Sequence, residues 1–287
     1  MFRNLLLFGL FLIGTALGVA AEPLRVVTYN IRYANPNDGP DYWPKRADAV
    51  AKFLADFDVI GLQEVTKPQF DQLRSKLKAF DSYGLGRDDG KSGGEHAAIF
   101  FRPDRVKVVD KGTIWLSETP DKIGVKGWDA ALPRTCTWMV FQLNNSDKKL
   151  FVANTHFDHR GANARTQSGK LLRTFTQQRS DGLPAIVMGD FNCMDGSAPY
   201  VALTDPKATG RSPLKDARTV SLKKPGGPNS TWCGFKEIAP DRIIDHIFVM
   251  GALTVRQVDV LDPRTSTGRF ASDHLPVAAT IELGQSD

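Results

Sequence analysis

The stretch Ala185-Ile186-Val187-Met188-Gly189-Asp190-Phe191-Asn192 joins a short apolar run to two polar residues. Five small or apolar residues without a charge are typical of a buried β-strand. Asp190 and Asn192 follow directly, so they are predicted to lie at the end of that strand. The same arrangement recurs along the chain, and it therefore indicates both the architecture and the position of the chemistry.

Apolar, β-branched runs predict seven further strands, and helical periodicity predicts three helices. Helices and strands do not alternate strictly, which favours an α/β chain that is not built on a purely parallel sheet. The predicted strands are Leu24–Tyr29, Val59–Gln63, Ala97–Phe101, Trp138–Leu143, Leu150–Thr155, Ala185–Gly189, Ile243–Met250 and Pro276–Ile281. The predicted helices are Lys45–Phe57, Pro68–Phe80 and Ala164–Arg179.

The composition excludes several classes of protein. The 287 residues are 41% hydrophobic and 24% charged, with 25 glycines and 17 prolines. These values exclude a disordered or collagen-like chain. The net charge of +5 is mildly basic, so the chain tolerates a polyanionic partner such as nucleic acid without requiring one. No partner protein is indicated, and we expect a monomer.

The first 21 residues have the pattern of a secretory signal peptide. Arg3 precedes the uncharged segment Leu5–Gly18, and Val19-Ala20-Ala21 places small residues before a cleavage site. The alternative is a membrane anchor, but the apolar run is shorter than the ~20 residues that a span requires. We therefore predict cleavage after Ala21, a secreted or periplasmic location, and a single domain over residues 22–287 without a membrane span.

The three cysteines, Cys136, Cys193 and Cys233, show no CxxC spacing. A zinc-thiolate site is therefore not indicated. Export permits disulfides, but three cysteines cannot all pair within one chain. One disulfide with one free thiol and three free thiols are both open.

Histidines and carboxylates gather at the ends of predicted strands. Capping or solvation would explain one such group, but scattered structural histidines are not expected to repeat the pattern. The groups are Asn30, Gln63-Glu64, Gly94-Glu95-His96, Asn154-Thr155-His156-Phe157-Asp158-His159, Gly189-Asp190-Phe191-Asn192, Ile244-Asp245-His246 and Ser272-Asp273-His274.

The residue types in these groups indicate a reaction. Carboxylate and amide oxygens without thiolates suit Mg²⁺, with Mn²⁺ or Ca²⁺ as alternatives, better than zinc. A hard divalent ion with imidazoles fits phosphoester hydrolysis, in which a histidine held by a carboxylate moves a proton. The sequence contains no P-loop or Gly-x-Gly-x-x-Gly motif, which argues against nucleoside triphosphatases and dinucleotide-binding folds.

Six motifs together resemble the endonuclease/exonuclease/phosphatase superfamily, in its secreted bacterial branch near the CCR4/nocturnin-like group. The resemblance implies a four-layer α/β (α+β) sandwich, with two packed, mostly antiparallel β-sheets flanked by helices. It extends over residues 24–281. The motifs are Val27-Thr28-Tyr29-Asn30-Ile31, Ile60-Gly61-Leu62-Gln63-Glu64-Val65, Asn154-Thr155-His156, Met188-Gly189-Asp190-Phe191-Asn192, Arg242-Ile243-Ile244-Asp245-His246-Ile247-Phe248-Val249 and Ser272-Asp273-His274-Leu275-Pro276-Val277.

The resemblance also implies a metal site and part of the catalytic group. Glu64 is the expected principal metal ligand, with Asn30 and Asp273 nearby. Asp190 and Asn192 are expected to orient the attacking water and stabilise the transition state, or to hold a second ion.

The two expected catalytic histidines are each assigned a carboxylate. His274 is braced by Asp245, which we expect within hydrogen-bonding reach, and His156 is supported by Glu95. The resemblance does not settle which imidazole is the base and which the acid. Arg134 resembles a phosphate-binding arginine.

Several other polar and aromatic residues are candidates for substrate contact. His96 follows Glu95, and Trp43 and Trp232 lie in turn-rich loops where each ring either contacts substrate or packs its own loop. His246 stands where the family often has tyrosine, and is interpreted as a structural substitute. Asp158 and His159 are interpreted mainly as surface residues at a helix start.

These observations predict a secreted, Mg²⁺-dependent phosphoesterase. A nuclease-like phosphodiesterase is favoured over a monoesterase. The alternatives are a lipid phosphodiesterase of the sphingomyelinase type, which would need an exposed apolar hairpin, and an inactive anion-binding module on the same fold.

Overall fold

Two six-stranded β-sheets form the centre of the computed structural model, which describes residues 22–207 and 213–284. The predicted signal peptide lies outside the described residues. The strands are β1 Leu24–Asn30, β2 Val59–Val65, β3 Asp81–Tyr83, β4 His96–Phe101, β5 Val106–Trp115, β6 Thr135–Leu143, β7 Lys149–His156, β8 Ala185–Asp190, β9 Lys215–Asp216, β10 Asp245–Met250, β11 Leu253–Val260 and β12 Val277–Leu283. The α-helices are α1 Ala47–Leu54, α2 Lys67–Lys76, α3 Ala162–Arg179, α4 Ala198–Thr204 and α5 Ala217–Val220.

The two sheets have the same pattern of strand pairing. The first has the order β11-β12-β1-β2-β4-β3 and the second β5-β6-β7-β8-β10-β9. Each contains one central parallel pair, β1 with β2 and β7 with β8, and is otherwise antiparallel. The second sheet comes from one continuous segment, whereas the first combines β1–β4 with β11 and β12.

The main core lies between the facing sheets. Val26 and Ile99 of the first sheet belong to one buried cluster with Val152, Met188 and Ile247 of the second. Alternate residues of a strand point to opposite faces, so these strands are apolar on both sides and need cover on the outside as well.

Helices cover both outer faces. Val50 and Leu54 of α1 and Leu73 of α2 pack against the outer face of the first sheet. Leu172 of α3 and Leu203 of α4 pack against the outer face of the second. The helix–sheet–sheet–helix order confirms the predicted four-layer sandwich.

All three predicted helices are present, but α1 and α2 are shorter than the sequence predicted. Trp43–Lys45 is a separate 3₁₀ turn before α1, and α1 ends at Leu54 rather than Phe57. A capping box of Thr66 and Gln69 starts α2. The non-helical backbone of Leu77 then ends α2 before the predicted limit at Phe80.

All three cysteines are buried and free, so the alternative with one disulfide is wrong. Burial raises the pKa of the Cys193 and Cys233 thiols to about 12. These thiols are therefore uncharged near neutral pH. Within residues 22–207 and 213–284, no helix is long and apolar enough to cross a membrane.

Candidate active site

The candidate site lies where strand ends of the two sheets meet. Asn30 ends β1, and Glu64 is the penultimate residue of β2. His156 ends β7 and Asp190 ends β8, so the parallel β7–β8 pair places them side by side. Asp245 begins β10 opposite Asp190, and His274 lies just before β12.

Gly189 allows β7 and β8 to approach closely at this point. Its φ is 156°, and a Cβ there would lie 2.1 Å from the backbone oxygen of Thr155. Any larger residue would push the strands apart. The glycine therefore fixes the spacing between His156 and Asp190, whose Nε2 and Oδ2 atoms are 3.4 Å apart.

Asn30 joins the two sheets at the centre of the site. Its Nδ2 donates to Oε1 of Glu64 and to Oδ2 of Asp190, each at 3.0 Å. The same Nδ2 lies 3.5 Å from Nε2 of His274. One buried amide thus contacts groups from three other segments of the chain.

An irregularity in β2 sets the direction of the Glu64 side chain. The pairing of β2 with β4 shifts register between Leu62 and Val65, and Glu64 has a positive φ of 62°. A bulge of this kind turns a side chain out of the regular alternation. The carboxylate is then held by Oε2, which accepts from the backbone N–H of Tyr33 at 3.0 Å.

His274 and Asp245 form the predicted pair. Nδ1 of His274 is 2.8 Å from Oδ2 of Asp245. Burial alone would lower the pKa of His274, but Asp245 and Asp190 outweigh it and raise the pKa to about 10. The two carboxylates therefore favour the charged form of His274.

Asp190 and Asn192 connect this pair to the second histidine. Burial and the nearby Asp245 raise the pKa of Asp190 to about 7. The backbone N–H of Asn192 donates to Oδ1 of Asp190 at 2.9 Å, and its Nδ2 lies 3.1 Å from Nε2 of His156. Asn192 reaches this position with a positive φ of 47°.

His156 differs from His274 in charge. Burial, and then the positive charges of Arg134 and Arg87, hold its pKa well below the usual value, so the imidazole is neutral. Nδ1 of His156 is 4.0 Å from Oε2 of Glu95, which exceeds a hydrogen bond. Glu95 instead accepts from Nη1 of Arg87 at 2.6 Å.

Arg134 is held in the site by residues that the sequence analysis placed at the surface. Asp158 is 1% exposed and accepts from Nε of Arg134 at 3.3 Å. His159 contacts Nη2 of Arg134 through Nδ1 at 2.9 Å. The surface interpretation of Asp158 was wrong because its carboxylate also accepts the backbone N–H groups of Arg160 and Gly161 at the turn before α3.

Two predicted substrate contacts are not supported. Trp43 is 3% exposed and donates from Nε1 to Gln72 at 2.6 Å, so it packs its own loop. His96 borders the pocket around Glu95, but its ring is buried, stacks on Phe70 and bonds the backbone oxygen of Val65 at 2.8 Å.

Trp232 lies beside the site and its substrate role stays a prediction. Its ring is nearly perpendicular to that of His274, with 4.9 Å between ring centroids. Its face is covered by the guanidinium of Arg242, also at 4.9 Å. His246 is structural, as interpreted from the sequence, because its ring nitrogens bond Asp216 and the Cys193 backbone oxygen at 3.1 and 3.0 Å.

The donor set fits a hard divalent cation. Asp190, Asp245 and Asp273 are buried here, and burial, with repulsion from Glu64, raises the pKa of Asp273. Arg32 offers partial compensation at 4.0 Å from Glu64 and 3.8 Å from Asp273. A divalent ion would relieve this excess negative charge, and oxygen ligands are the type that Mg²⁺ prefers.

The ligand atoms of a second group of residues are also close enough together to hold an ion. Ligand atoms of Asp190, Asp245 and His274 lie within 4.8 Å of one another. However, Nδ1 of His274 and Oδ2 of Asp245 are already paired with each other at 2.8 Å. We therefore interpret this group as the proton-transfer part of the site, and Glu64, Asn30 and Asp273 as the set that would hold the ion.

An open groove of about 660 Å³ begins at Asn192. Arg165, Met194, Asp241 and Arg242 are among the residues that line it. None of the described lining residues is aromatic. The volume is within the range for small-molecule sites.

Carboxylates, imidazoles and arginines thus gather at one edge of the two paired sheets. The chain belongs to the endonuclease/exonuclease/phosphatase family, whose sequence profile matches residues 27–274. The predicted family and fold are thereby confirmed.

Solved structures from bacteria resemble the chain over nearly its whole length. An endonuclease/exonuclease/phosphatase protein from Bacteroides vulgatus is 38% identical, with a TM-score of 0.85 over 91% of this chain and 99% of that one. A mannosyl-6-phosphatase from Bacteroides thetaiotaomicron is 36% identical, with a TM-score of 0.82 over 90% and 99%. The human nocturnin catalytic domain shares the fold at 22% identity, with a TM-score of 0.70 over 92% and 95%.

Two curated relatives are longer than this chain. A deoxyribonuclease from a Thioalkalivibrio species is 26% identical over 70% of this chain and 56% of its own length. An uncharacterised mimivirus protein is 26% identical over 82% of this chain and 40% of its own length. The chain thus spans about half the length of these relatives.

Proposed function

We propose that the protein is an exported, divalent-metal-dependent phosphoesterase that uses Mg²⁺. The observation that carries this proposal is the placement of Asn30 within 3.0 Å of both Glu64 and Asp190 and 3.5 Å from His274. A cation-binding carboxylate and two proton-transfer groups thereby surround one small volume. Export rests on the sequence of the first 21 residues alone.

Glu64, Asn30 and Asp273 would hold the ion. When bound, the ion would supply positive charge to the phosphoryl oxygens and the departing ester oxygen. Asp190, with a pKa of about 7, is suited to accept a proton from the attacking water. The His274 imidazolium donates a hydrogen bond to a phosphoryl oxygen, and Asn192 with neutral His156 orients the other side of the phosphoryl group.

The alternatives receive less support. Only six large apolar residues are exposed among the described residues, and a sphingomyelinase-type enzyme would need a contiguous apolar surface. Every catalytic and metal-ligand residue implied by the resemblance is present, which disfavours an inactive binding module.

The substrate candidates are a small phosphate ester and a nucleic acid. The similar mannosyl-6-phosphatase and the groove at Asn192 favour the former, because a groove without aromatic residues offers no ring on which a base would stack. The deoxyribonuclease relative and the mildly basic charge favour the latter. A Mg²⁺-supplemented panel of mannose 6-phosphate, nucleotides, DNA, RNA and sphingomyelin would separate them.

Replacing Glu64 by glutamine tests the function itself. The amide keeps the shape of the side chain but loses its charge, so we expect Mg²⁺ binding and turnover to fall ~100-fold or more. Mg²⁺ titration calorimetry and hydrolysis of p-nitrophenyl phosphate and bis-p-nitrophenyl phosphate measure both effects.

Glu282→Gln is the matched control, because Glu282 lies at the far end of β12 and pairs with Arg256. It should behave like the unaltered protein. Near-normal turnover of Glu64→Gln in saturating Mg²⁺, or turnover of the unaltered protein in EDTA, would contradict the proposal.

A further inference from the structure

Arg46 is one of the largest side chains that the described part of the protein buries completely. It follows the 3₁₀ turn Trp43–Lys45 at the start of α1 and is 1% exposed. Its guanidinium lies over the rings of Trp43 and Phe235, at 5.4 and 5.0 Å from their centroids. Burying a charged group is costly unless its donors are satisfied, and an apolar side chain would fill this space more cheaply. The partners of the guanidinium therefore indicate what it does.

The hydrogen bonds of Arg46 to described residues all go to backbone oxygens. Nη1 donates to the oxygens of Ile31 and Ala271 at 2.9 and 2.6 Å. Nε donates to the oxygen of Asp41, and Nη2 donates to that of Arg32 at 3.4 Å. These oxygens lie outside the β-strands, so the hydrogen bonds of a sheet do not fix their positions and another donor must do so.

Two of the segments that this guanidinium holds carry proposed ion ligands. Ile31 directly follows Asn30, and Ala271 lies shortly before Asp273. Between the latter two residues, Ser272 donates from Oγ to the backbone oxygen of Asn30 at 2.7 Å, so the two segments are in direct contact. A single nitrogen, Nη1, thus joins the segment of one proposed ligand to the segment of another.

The segment of Glu64 is joined to the same loop by Gln69. Gln69 lies in the first turn of α2, which follows β2, and it is completely buried. Its Nε2 donates at 2.9 Å to the Arg32 oxygen that Arg46 also contacts. Its Oε1 accepts from the backbone N–H of Ala34 at 3.0 Å. All three segments that carry proposed ion ligands are therefore tied together through the loop that follows β1.

Resting on the proposed function, we infer that Arg46 and Gln69 are positioning residues for the ion. They hold the three ligand-bearing segments at the separation that Mg²⁺ requires, and they act through the backbone rather than by contact with ion or substrate. Mg²⁺ demands nearly ideal octahedral geometry, so a small displacement of these segments weakens its binding. An arginine that only stabilised the fold would have no effect on ion affinity.

Arg46→Lys is the main test. Lysine keeps the positive charge, but one ammonium group cannot reproduce the planar fork that reaches oxygens of several segments. We expect the Kd for Mg²⁺, measured by titration calorimetry, to rise ~10–100-fold, as when a group that orients a metal ligand is removed. Circular dichroism establishes that the variant folds.

Turnover as a function of Mg²⁺ concentration is the second measurement, with p-nitrophenyl phosphate and bis-p-nitrophenyl phosphate as substrates. The variant should need more Mg²⁺ for half-maximal rate, yet its kcat at saturating Mg²⁺ should return to within about threefold of the unaltered protein, because no reacting group has been removed. Glu64→Gln differs, since its loss of turnover persists in saturating Mg²⁺.

The rise in Tm on adding Mg²⁺ is the third measurement. A residue that acts only on the fold lowers Tm equally in Mg²⁺ and in EDTA. Weaker ion binding makes the rise smaller in Arg46→Lys than in the unaltered protein at the same Mg²⁺ concentration. Gln69→Met removes the other donor to the Arg32 oxygen, so it should raise the Kd for Mg²⁺ as well and tests the inference from the opposite side of the loop.

Arg173→Lys is the matched control. Arg173 also donates from Nη1 to a backbone oxygen, that of Ala202, at 2.7 Å, but it joins α3 to α4 on the outer face of the second sheet. The same substitution there should leave the Kd for Mg²⁺ unchanged.

The outcomes separate this inference from the proposed function. Failure of the unaltered protein to bind Mg²⁺ would overturn both. If the unaltered protein binds Mg²⁺, an unchanged Kd in whichever of Arg46→Lys and Gln69→Met folds would overturn the positioning role alone. An equal rise of the Kd in Arg173→Lys, or turnover of Arg46→Lys that stays low in saturating Mg²⁺, would do the same.

Discussion

At the scale of single residues, the two histidines of the site are set to different charges by their neighbours. Asp245 and Asp190 stabilise the positive charge of His274, whereas burial beside Arg134 and Arg87 keeps His156 neutral. The sequence predicted both residues but could not assign their charge, because the deciding neighbours are distant in the chain.

The pairing of His274 with Asp245 predicts a non-additive loss. Asp245 acts by orienting His274 and stabilising its charge, so His274→Ala should slow turnover ~10²–10⁴-fold. Asp245→Ala should also slow it severely, and the double variant should be little worse than His274→Ala alone. Steady-state kinetics of the three variants measures this, and small, independent losses would contradict the pair.

The sequence predicted which motif residues lie together, but it could not predict the positions that burial decides. Asn30, Glu64 and Asp190 were expected together and lie together. Trp43 was a candidate for substrate contact because turn-rich loops are generally exposed. Arg87 was missed altogether, since a lone arginine in a glycine-rich loop gives no periodic or motif signal.

At the scale of elements, the four strands that the sequence analysis missed, β3, β5, β9 and β11, are the four edges of the two sheets. Edge strands are paired on one side only and tolerate charged residues that discourage further pairing. In β5, the segment from Lys107 to Lys111 is largely exposed and contains Asp110, so it lacks an apolar run. The central strands, buried on both faces, were all found.

The buried pair of His246 on β10 and Asp216 on β9 joins an edge strand to the sheet. His246→Ala would leave Asp216 buried without its partner, so we expect the free energy of unfolding to fall by ~3–5 kcal/mol. Urea denaturation measures the change, and Lys215→Ala on the exposed side of β9 is the control.

Because both members of this pair titrate, the unfolding free energy lost in His246→Ala depends on pH. Burial lowers the pKa of His246, but Asp216 more than reverses this and the net shift is upward. The contribution of His246 is therefore complete below its unfolded pKa of ~6.5 and is lost as pH rises through the raised folded value. Asp216, whose pKa is lowered, contributes above ~3.8 and loses its contribution on acidification. A variant whose deficit did not shrink at alkaline pH would exclude the charged pair.

At the scale of the whole molecule, ligand binding at the junction of the sheets should stabilise the fold. A ligand at 100 times its Kd that binds only the folded state adds ~2.7 kcal/mol, or about 5–10 °C in Tm for a chain of this length. We therefore expect Mg²⁺ to raise the Tm measured by scanning calorimetry and EDTA to reverse it. Glu64→Gln should show no such rise, and an equal rise in that variant would place the ion elsewhere.

The pairing of β12 with β1 has a consequence for the order of biosynthesis. Leu24 pairs with Ile281, so the first sheet stays incomplete until almost the last described residues have been made. His274, which lies just before β12, is made after every strand of the second sheet. A growing chain that has not yet reached β12 therefore lacks both His274 and the strand that pairs with β1, however much of the second sheet has already folded.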